Sequence, residues 1–331
     1  MVPSSLAQRR THNLLLFSNL LDLRDNSSPF TLILDSLEQS GKPLVGEFFR
    51  KNPTTKTRVI FISYETSHKP ENVNTFIKGW DKTAPLVQHE VAQELQKDPQ
   101  KKFLVIIDSL SNLAADPTMN LPAFLSLFIT PSSSVIAIYH LDVPIYILDS
   151  AKYAPHPLTL LKYFATTIYT VHSFSHVLAR REAADKSLPE PAFGLAEEIE
   201  GVIKGLGSDD KRGVVVEMEH RRKSGRTVGE WFFLSSSTAS AASKGHQRRR
   251  TILLDDHPLY RLKEEVGARE SAGEVVAEST FSLGLTEKQR QDRENVILPY
   301  FDAQKGEGGI GGRILYDMGE EDDFDDEEDE I

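Results

Sequence analysis

The residues with the clearest chemical potential form the run Ser36-Leu-Glu-Gln-Ser-Gly-Lys-Pro43. A phosphate-binding loop has the pattern Gly-x-x-x-x-Gly-Lys-Ser/Thr and joins a buried strand to a helix. Gly41 and Lys42 match that pattern. Ser36 stands in place of the first glycine, and Pro43 stands in place of the Ser or Thr. The run therefore predicts the frame of a nucleotide-binding site with altered chemistry.

Each altered position has a physical meaning. The first glycine of such a loop permits a tight turn that points backbone N–H groups at the phosphates. The hydroxyl group holds Mg²⁺, which bridges the β- and γ-phosphate oxygens. Pro43 supplies neither a hydroxyl nor an N–H group, although proline suits the first turn of a helix. An ordinary strand–turn–helix remains an alternative, because a Gly-Lys pair alone is a weak signal.

Three polar residues follow apolar runs that are typical of buried strands: Glu65, Asp108 and His140. In α/β proteins the ligand lies outside the carboxyl ends of parallel strands, so residues at these ends are site candidates. Asp108 has a structural alternative, since it could instead cap Ser109, Ser111 or the next helix. A lone Glu or His at a strand end is also commonly a capping or hydrogen-bonded residue. The sequence leaves both roles open.

A short basic turn is the second cluster with chemical potential. Two apolar runs, residues 213–219 and 227–234, flank it as the strands of an antiparallel hairpin would. On a hairpin tip, cations are most simply solvated side chains. They could also bind a phosphate or carboxylate across a subunit interface, or contact an RNA backbone. The candidate contact residues are Arg221, Arg222, Lys223 and Arg226.

The order of the apolar segments predicts the fold that must position these residues. Continuously apolar strand candidates alternate with helix candidates, which indicates a mostly parallel sheet with helices on both faces. Residues 1–28 are predicted to form an N-terminal helical segment. The strand candidates are residues 30–34, 58–64, 103–108, 134–139 and 166–171, and the helix candidates are residues 84–97, 121–129 and 158–164.

The acidic character of the chain is confined to its C-terminus. The net charge is −11, yet residues 317–330 contain 11 acidic residues and no basic one. Without those 11, the remaining 38 of the 49 Asp and Glu residues balance 38 Lys and Arg. A block of like charges repels itself, so this tail is predicted to be solvated, with docking on a basic partner as the alternative.

Composition and spacing exclude several classes of site. The chain has no cysteine, so it forms neither disulfides nor a thiolate metal site. His, Asp and Glu show no metal-ligand spacing, and no Gly-x-Ser-x-Gly nucleophile motif occurs. No segment approaches the ~20 apolar residues that span a bilayer. We therefore expect no metal, cofactor or membrane partner, and a location in the cytoplasm with the nucleus as the alternative.

The C-terminal third has a different organisation. Residues 236–275 are largely polar, without an apolar period, and are predicted to be a flexible linker. Residues 276–331 are predicted to form an extended arm with the acidic tail. Its apolar clusters would promote aggregation if exposed, so we expect them to bury against a partner or the chain's own core. The docking candidates are Phe281, Leu283, Leu298, Tyr300 and Phe301.

The order of loop, strand ends and hairpin resembles the RecA-like ATPase core, over residues 29–235. That resemblance implies that Glu65 lies where the water-activating glutamate of the family lies. Asp108 would match the carboxylate that orients magnesium, and His140 would match a polar residue that senses the γ-phosphate. The basic turn would match a Lys/Arg finger that reaches the nucleotide of a neighbouring subunit.

Several segments are more specifically similar to the Elongator complex protein 5 family. The C-terminal segments are the most specific, because generic RecA-like proteins lack them. The resemblance covers nearly the whole chain, apart from residues 175–210 and 235–275. The matching segments are residues 64–70, 107–110, 160–168, 222–226, 280–285 and 298–304, together with the acidic terminus after Tyr316.

This resemblance implies a subunit of a RecA-like heterohexameric ring, formed with the fourth and sixth Elongator proteins and joined to the remaining Elongator subunits. It also implies a role in tRNA wobble-uridine modification, with tRNA bound and released by the assembled ring and no DNA partner. Because Pro43 removes the magnesium-binding hydroxyl, we expect a non-catalytic subunit. A catalytically active RecA-like ATPase or recombinase paralogue is the alternative. A third hypothesis has Arg222 or Arg226 act on a nucleotide in an adjacent subunit.

Overall fold

A computed structural model describes residues 5–23, 28–98, 100–116, 119–145, 155–194, 210–236 and 251–261. All of these residues belong to one compact unit, Met1–Arg269. A second unit, Glu270–Ile331, lies outside the described residues. The acidic tail therefore also lies outside them, as do the predicted docking residues Phe281, Leu283, Leu298, Tyr300 and Phe301.

Helices and strands alternate along the first 185 residues, and three antiparallel strands follow. The helices are α1 (Ser5–Leu21), α2 (Lys42–Lys51), α3 (Ala84–Lys97), α4 (Ser111–Ala115), α5 (Leu121–Ser126), α6 (Pro157–Phe164) and α7 (Phe174–Asp185). The strands are β1 (Phe30–Asp35), β2 (Thr57–Ser63), β3 (Thr75–Lys78), β4 (Lys102–Ile107), β5 (Ser133–His140), β6 (Thr167–Ser173), β7 (Gly213–Arg221), β8 (Thr227–Ser235) and β9 (Thr251–Leu253).

The strands form a single sheet in the order β3-β2-β4-β5-β1-β6-β7-β8-β9. Strands β1 to β6 are parallel to one another, and β7, β8 and β9 continue the sheet in antiparallel pairs. In this register Asp35 at the end of β1 lies opposite His140 at the end of β5. The mostly parallel sheet with flanking helices, predicted from the sequence, is thereby confirmed.

The central strands are buried on both faces, which explains their continuously apolar sequences. Successive side chains of a strand point to opposite faces, so neighbours in β1 enter different cores. Leu32 packs with residues of α3, α4, α5 and α6, whereas Ile33 packs with residues of α1, α2, β7 and β8. Each fully buried side chain of this size contributes roughly 1.5–3 kcal/mol.

Helix α1 covers the second of these faces and joins the parallel and antiparallel parts of the sheet. Phe17 of α1 is buried, stacks on Phe232 of β8 at 4.2 Å and meets the edge of Tyr169 of β6 at 5.7 Å. The predicted N-terminal helix is therefore part of the core. None of the helices in the described ranges combines the length and the apolar character that crossing a membrane would require.

Two strands differ from what the sequence suggests. Strand β3 is short and lies at one edge of the sheet, so its sequence carries little periodic signal. Strand β9 forms the other edge, and Leu253 in it is buried. Residues 251–261 thus belong to the compact unit, although they fall in the range predicted as a flexible linker.

Candidate functional site

The candidate crevice lies where the carboxyl ends of β1, β2, β4 and β5 meet. Strand β1 leads into the loop 36–41, and α2 begins at Lys42. The parallel register brings the end of β5 beside the end of β1, and the end of β4 beside the end of β2. The structure therefore gathers the predicted residues Glu65, Asp108 and His140 near this loop.

Asp35 is the residue at this edge that sequence reasoning missed, although it is the last residue of β1. Its side chain is only 3% exposed. The backbone N–H of Gly41 donates to Asp35 Oδ2 at 2.7 Å, and His140 Nδ1 donates to Asp35 Oδ1 at 2.5 Å. A Cβ atom at residue 41 would lie 3.0 Å from Ile33 Cγ2 and 3.2 Å from Asp35 Oδ2, so glycine permits this close approach.

His140 lies between two carboxylates. Its Nε2 is 3.1 Å from Glu65 Oε1, an ion-pair distance without the alignment of a hydrogen bond. Burial by itself would lower the pKa of His140, but the hydrogen bond to Asp35 and the proximity of Glu65 outweigh burial and raise this pKa to about 10. The same interaction with His140 lowers the pKa of Glu65. At neutral pH an imidazolium therefore bridges two carboxylates.

The loop 36–41 folds back on itself. Ser36 and Gln39 exchange backbone hydrogen bonds of 3.3 and 3.2 Å, which close a tight turn around Leu37 and Glu38. The N–H group of Leu37 donates to Asp142 Oδ2 at 2.5 Å. In a phosphate-binding loop these amides face the anion. Here the amides of Ser36, Leu37, Gln39 and Gly41 all donate to acceptors within the protein.

Lys42 and Pro43 open helix α2 as the sequence predicted. Pro43 occupies the first turn, where its missing N–H group has no helical partner to lose. Lys42 is exposed, and its N–H group donates to Ser40 Oγ at 3.2 Å. Leu44 and Phe48 are fully buried and hold the helix on the sheet. No hydroxyl follows Lys42 in this turn.

The Asp108 carboxylate anchors the loop that follows β2 through hydrogen bonds. The sequence left open whether this residue faces a ligand or caps Ser109 or Ser111. Its carboxylate is 7% exposed and accepts four hydrogen bonds, from Tyr64 N at 2.6 Å, Ser63 Oγ at 2.7 Å, Thr66 N at 2.8 Å and Glu65 N at 3.2 Å. Asp108 therefore sets the position of Glu65, and its Oδ2 atom alone accepts three of these four hydrogen bonds.

The turn at Glu38 is covered from the side of α7, which the sequence did not predict. His176 Nδ1 lies 2.8 Å from Glu38 Oε2, and the ring of Phe193 stacks on the His176 ring at 3.9 Å. Gly194 has a φ of +61° beside the Glu38 carboxylate, where a Cβ atom would lie 2.2 Å from Oε1. The loop is thus held from both the crevice side and the α7 side.

The basic turn joins β7 and β8 as predicted. Arg222 N donates to Arg226 O at 2.9 Å and Gly225 N donates to Arg222 O at 2.8 Å. Gly225 has a φ of +81°, which favours glycine. The side chains of Arg222, Lys223 and Arg226 are exposed. We call residues 222–226 the basic tip.

Arg221, by contrast, binds within the fold. Its Nη1 donates to the carbonyl oxygens of Tyr163 at 2.9 Å and Ala165 at 3.4 Å, at the C-terminal end of α6. Its Nη2 lies 3.6 Å from Glu219 Oε1. A cation at a helix C-terminus satisfies carbonyl groups that have no helical partner. Arg222 makes a second link, since its Nη2 donates to His12 Nε2 of α1 at 2.7 Å.

The basic tip and the crevice lie at opposite ends of the parallel strands. His220, next to the tip, pairs with Thr167, the first residue of β6. Because β6 is parallel to β1, the tip lies at the amino ends of the parallel strands, while Asp35 and His140 lie at the carboxyl ends. Within one chain the two predicted clusters therefore cannot form one site.

Throughout the described ranges, no three His, Asp or Glu side chains converge as a metal site would require.

A mostly parallel sheet with a Gly-Lys loop after a central strand, extended by an antiparallel hairpin, defines a RecA-like α/β protein. Among solved structures, the RadB recombinase is similar with a TM-score of 0.35 and 15% identity, covering 63% of this chain and 89% of that one. The family model for Elongator subunit Iki1 matches residues 16–317, so the chain belongs to that family.

Curated relatives agree with this assignment and with the resemblance seen in the sequence. Elongator complex protein 5 of Schizosaccharomyces pombe is 27% identical over 315 residues, which cover 91% of this chain and 94% of the relative. Elongator complex protein 5 of Saccharomyces cerevisiae is 29% identical over 331 residues, which cover 96% of this chain and 97% of the relative.

The charge on His140 predicts a pH-dependent stability. Because folding raises the pKa of His140 from 6.5 to about 10, the stabilisation is complete below pH 6.5 and is lost as the pH rises through about 10. His140→Gln should therefore flatten the fall in unfolding free energy between neutral and alkaline pH, as measured by urea denaturation. The exposed His89 gives a matched control, since His89→Gln should keep the wild-type slope. An unchanged slope in His140→Gln would contradict the bridging imidazolium.

The hydrogen bonds of Asp108 predict a structural role for its carboxylate. Asp108→Ala removes the acceptor of the partly buried Tyr64 and Thr66 N–H groups and one of the two acceptors within reach of Ser63 Oγ, which should lower the unfolding free energy by about 2 kcal/mol or more. The exposed Asp185 at the end of α7 is the control, and Asp185→Ala should change stability by less than about 0.5 kcal/mol. Equal urea midpoints for the two variants would exclude this role.

Arg221 and Arg226 should contribute differently to the free energy of unfolding. Arg221→Ala removes a charged donor from the end of α6, so we expect a loss of about 1–2 kcal/mol. Arg226→Ala alters an exposed tip residue and should stay within about 0.5 kcal/mol. Thermal and urea unfolding of both variants test this difference, and a similar loss in both would show that the tip itself is structural.

Proposed function

We propose that this chain is a non-catalytic subunit of the Elongator complex. In this proposal it assembles with the fourth and sixth Elongator proteins into a RecA-like heterohexameric ring, which joins the remaining Elongator subunits. The ring supports modification of the tRNA wobble uridine and binds and releases tRNA. Membership of the Elongator subunit Iki1 family supports the proposal. The chain works in the cytoplasm, with the nucleus as the alternative location, and has no DNA or membrane partner.

The observation that carries the non-catalytic role is the hydrogen bond from Gly41 N–H to the Asp35 carboxylate. A phosphate at this loop would have to displace a carboxylate that His140 also holds. It would then lie beside two negative side chains, Asp35 and Glu65, whose charges oppose its own. The imidazolium between them is already neutralised by its two partners.

Magnesium has equally little to bind at this loop. Pro43 supplies no hydroxyl in the first turn of α2. The oxygens of Asp108 accept four hydrogen bonds from residues 63–66, so a metal ion would have to compete with them. Phosphoryl transfer depends on positioned metal and phosphate groups. We therefore infer that this chain has a structural role in the assembly, and that other subunits carry out hydrolysis.

Two measurements test this function. The full chain alone, titrated with Mg-ATP, should show no rise in its thermal midpoint, because a ligand that binds the native state would stabilise it. Pro43→Ser should behave in the same way, since it restores the hydroxyl while Asp35 still holds the Gly41 amide. Co-expressed with the fourth and sixth Elongator proteins, the chain should co-purify in an assembly with the mass of six subunits.

The opposite results would overturn the proposal in separate parts. Tight magnesium-dependent ATP binding by the chain alone would contradict the non-catalytic role. Hydrolysis stimulated by DNA would favour the alternative function, a RecA-like ATPase or recombinase paralogue. Failure to enter the six-subunit assembly would contradict the role as a ring subunit.

A further inference from the structure

The end of α6 exposes an aromatic ring that the fold does not use. Tyr163 is 84% exposed, more than any other large apolar side chain in the described part of the chain. The orientation of the helix is nonetheless fixed, since Leu161 and Ala165 on either side are buried at 0% and 2% exposure. Tyr163 is therefore held outward by the packing of its neighbours, and its ring contacts no other aromatic ring of the described residues.

The backbone of Tyr163 contacts the residue that precedes the basic tip. Arg221, which precedes the tip, donates to the carbonyl oxygen of Tyr163 itself at 2.9 Å. Its backbone N–H donates to Thr166 O at 2.9 Å, so the end of α6 and the start of the tip are joined twice. Arg222 is tied to His12 of α1. The fold thus places the end of α6 beside the start of the basic tip.

Exposed cations cluster near the end of α6, where the carboxylate of Glu219 lies 3.6 Å from Arg221 Nη2. Lys162 precedes Tyr163 and is exposed, and the tip adds Arg222, Lys223 and Arg226. Across the described ranges, no carboxylate lies within ion-pair distance of Lys162, Lys223 or Arg226. Exposed cations without a nearby carboxylate suit a polyanionic partner.

We propose that Tyr163, Lys162 and the basic tip form a contact surface for single-stranded RNA. An exposed aromatic ring is a platform on which an unpaired base stacks, and cations beside it follow the phosphate backbone. Such a surface holds an unpaired strand with little sequence preference, because every base has a stacking face. This inference rests on the proposed function for the source of the RNA, an unpaired segment of tRNA bound by the assembled ring.

Binding of a labelled oligouridine to the full chain, followed by fluorescence anisotropy at several salt concentrations, tests this surface. Tyr163→Ala should weaken binding about 5- to 100-fold, while Tyr163→Phe should retain it. Replacing Arg222, Lys223 and Arg226 together by alanine should lower the slope of log K against log salt by about 0.7 for each phosphate that the protein no longer neutralises. Lys211→Ala, which lies just before β7 at the end opposite the tip, is the matched control and should leave the slope unchanged.

Three outcomes would overturn the inference, and each differs from a failure of the proposed function. Equal oligouridine affinity for wild type and Tyr163→Ala, with both chains folded, would remove the stacking role. Unchanged tRNA affinity in a ring that carries Tyr163→Ala would remove the surface while the proposed function stands. A tip variant that disrupts the ring or its ATP hydrolysis without altering RNA binding would make the tip a subunit contact. Absence of tRNA binding by the wild-type ring would instead contradict the proposed function.

Discussion

The carboxylate of Asp35 organises the crevice on which the remaining features depend. It joins three parts of the chain, since it ends β1, accepts the N–H group of Gly41 and binds the ring of His140. A buried anion must find donors or lose its charge, and here the donors come from the loop and from β5. The loop therefore keeps its shape around a side chain of the protein, in the place where an intact phosphate-binding motif would hold a phosphate.

The hydrogen bond between Asp35 and His140 is part of a larger charged network at the carboxyl ends of the strands. His140 becomes an imidazolium only because Asp35 and Glu65 flank it, and Glu65 is held in place by the hydrogen bonds of Asp108 to the loop after β2. Removing one partner of a buried charged pair is strongly destabilising, even where the pair itself adds little net stability. The edge of the sheet that binds ligands in other α/β proteins is thus committed to a mutually dependent structural network.

The two ends of the parallel strands carry opposite chemistry. The carboxyl ends present Asp35, Glu65 and Asp142, whereas the amino ends present the basic tip and Tyr163. Helices α1 and α6 hold the tip through His12 and through the carbonyl of Tyr163, so its position does not depend on any ligand in the crevice. A fold built in this way offers a defined surface at the amino ends of its parallel strands that is independent of the crevice at their carboxyl ends.

The sequence alone determined the parallel sheet, the basic hairpin and the helix over residues 84–97, because apolar periodicity is encoded within short windows. It also marked the loop at Pro43 as altered. Only the tertiary structure decided that Asp35 occupies the Gly41 amide, that Arg221 caps α6, and that Tyr163 lies beside the tip. The contacts of His140 with Asp35 and of Arg221 with α6 join residues 105 and 58 positions apart, so they depend on which strands pair in the folded chain. The Gly41 contact is local, but it depends on the side-chain orientation that His140 gives Asp35.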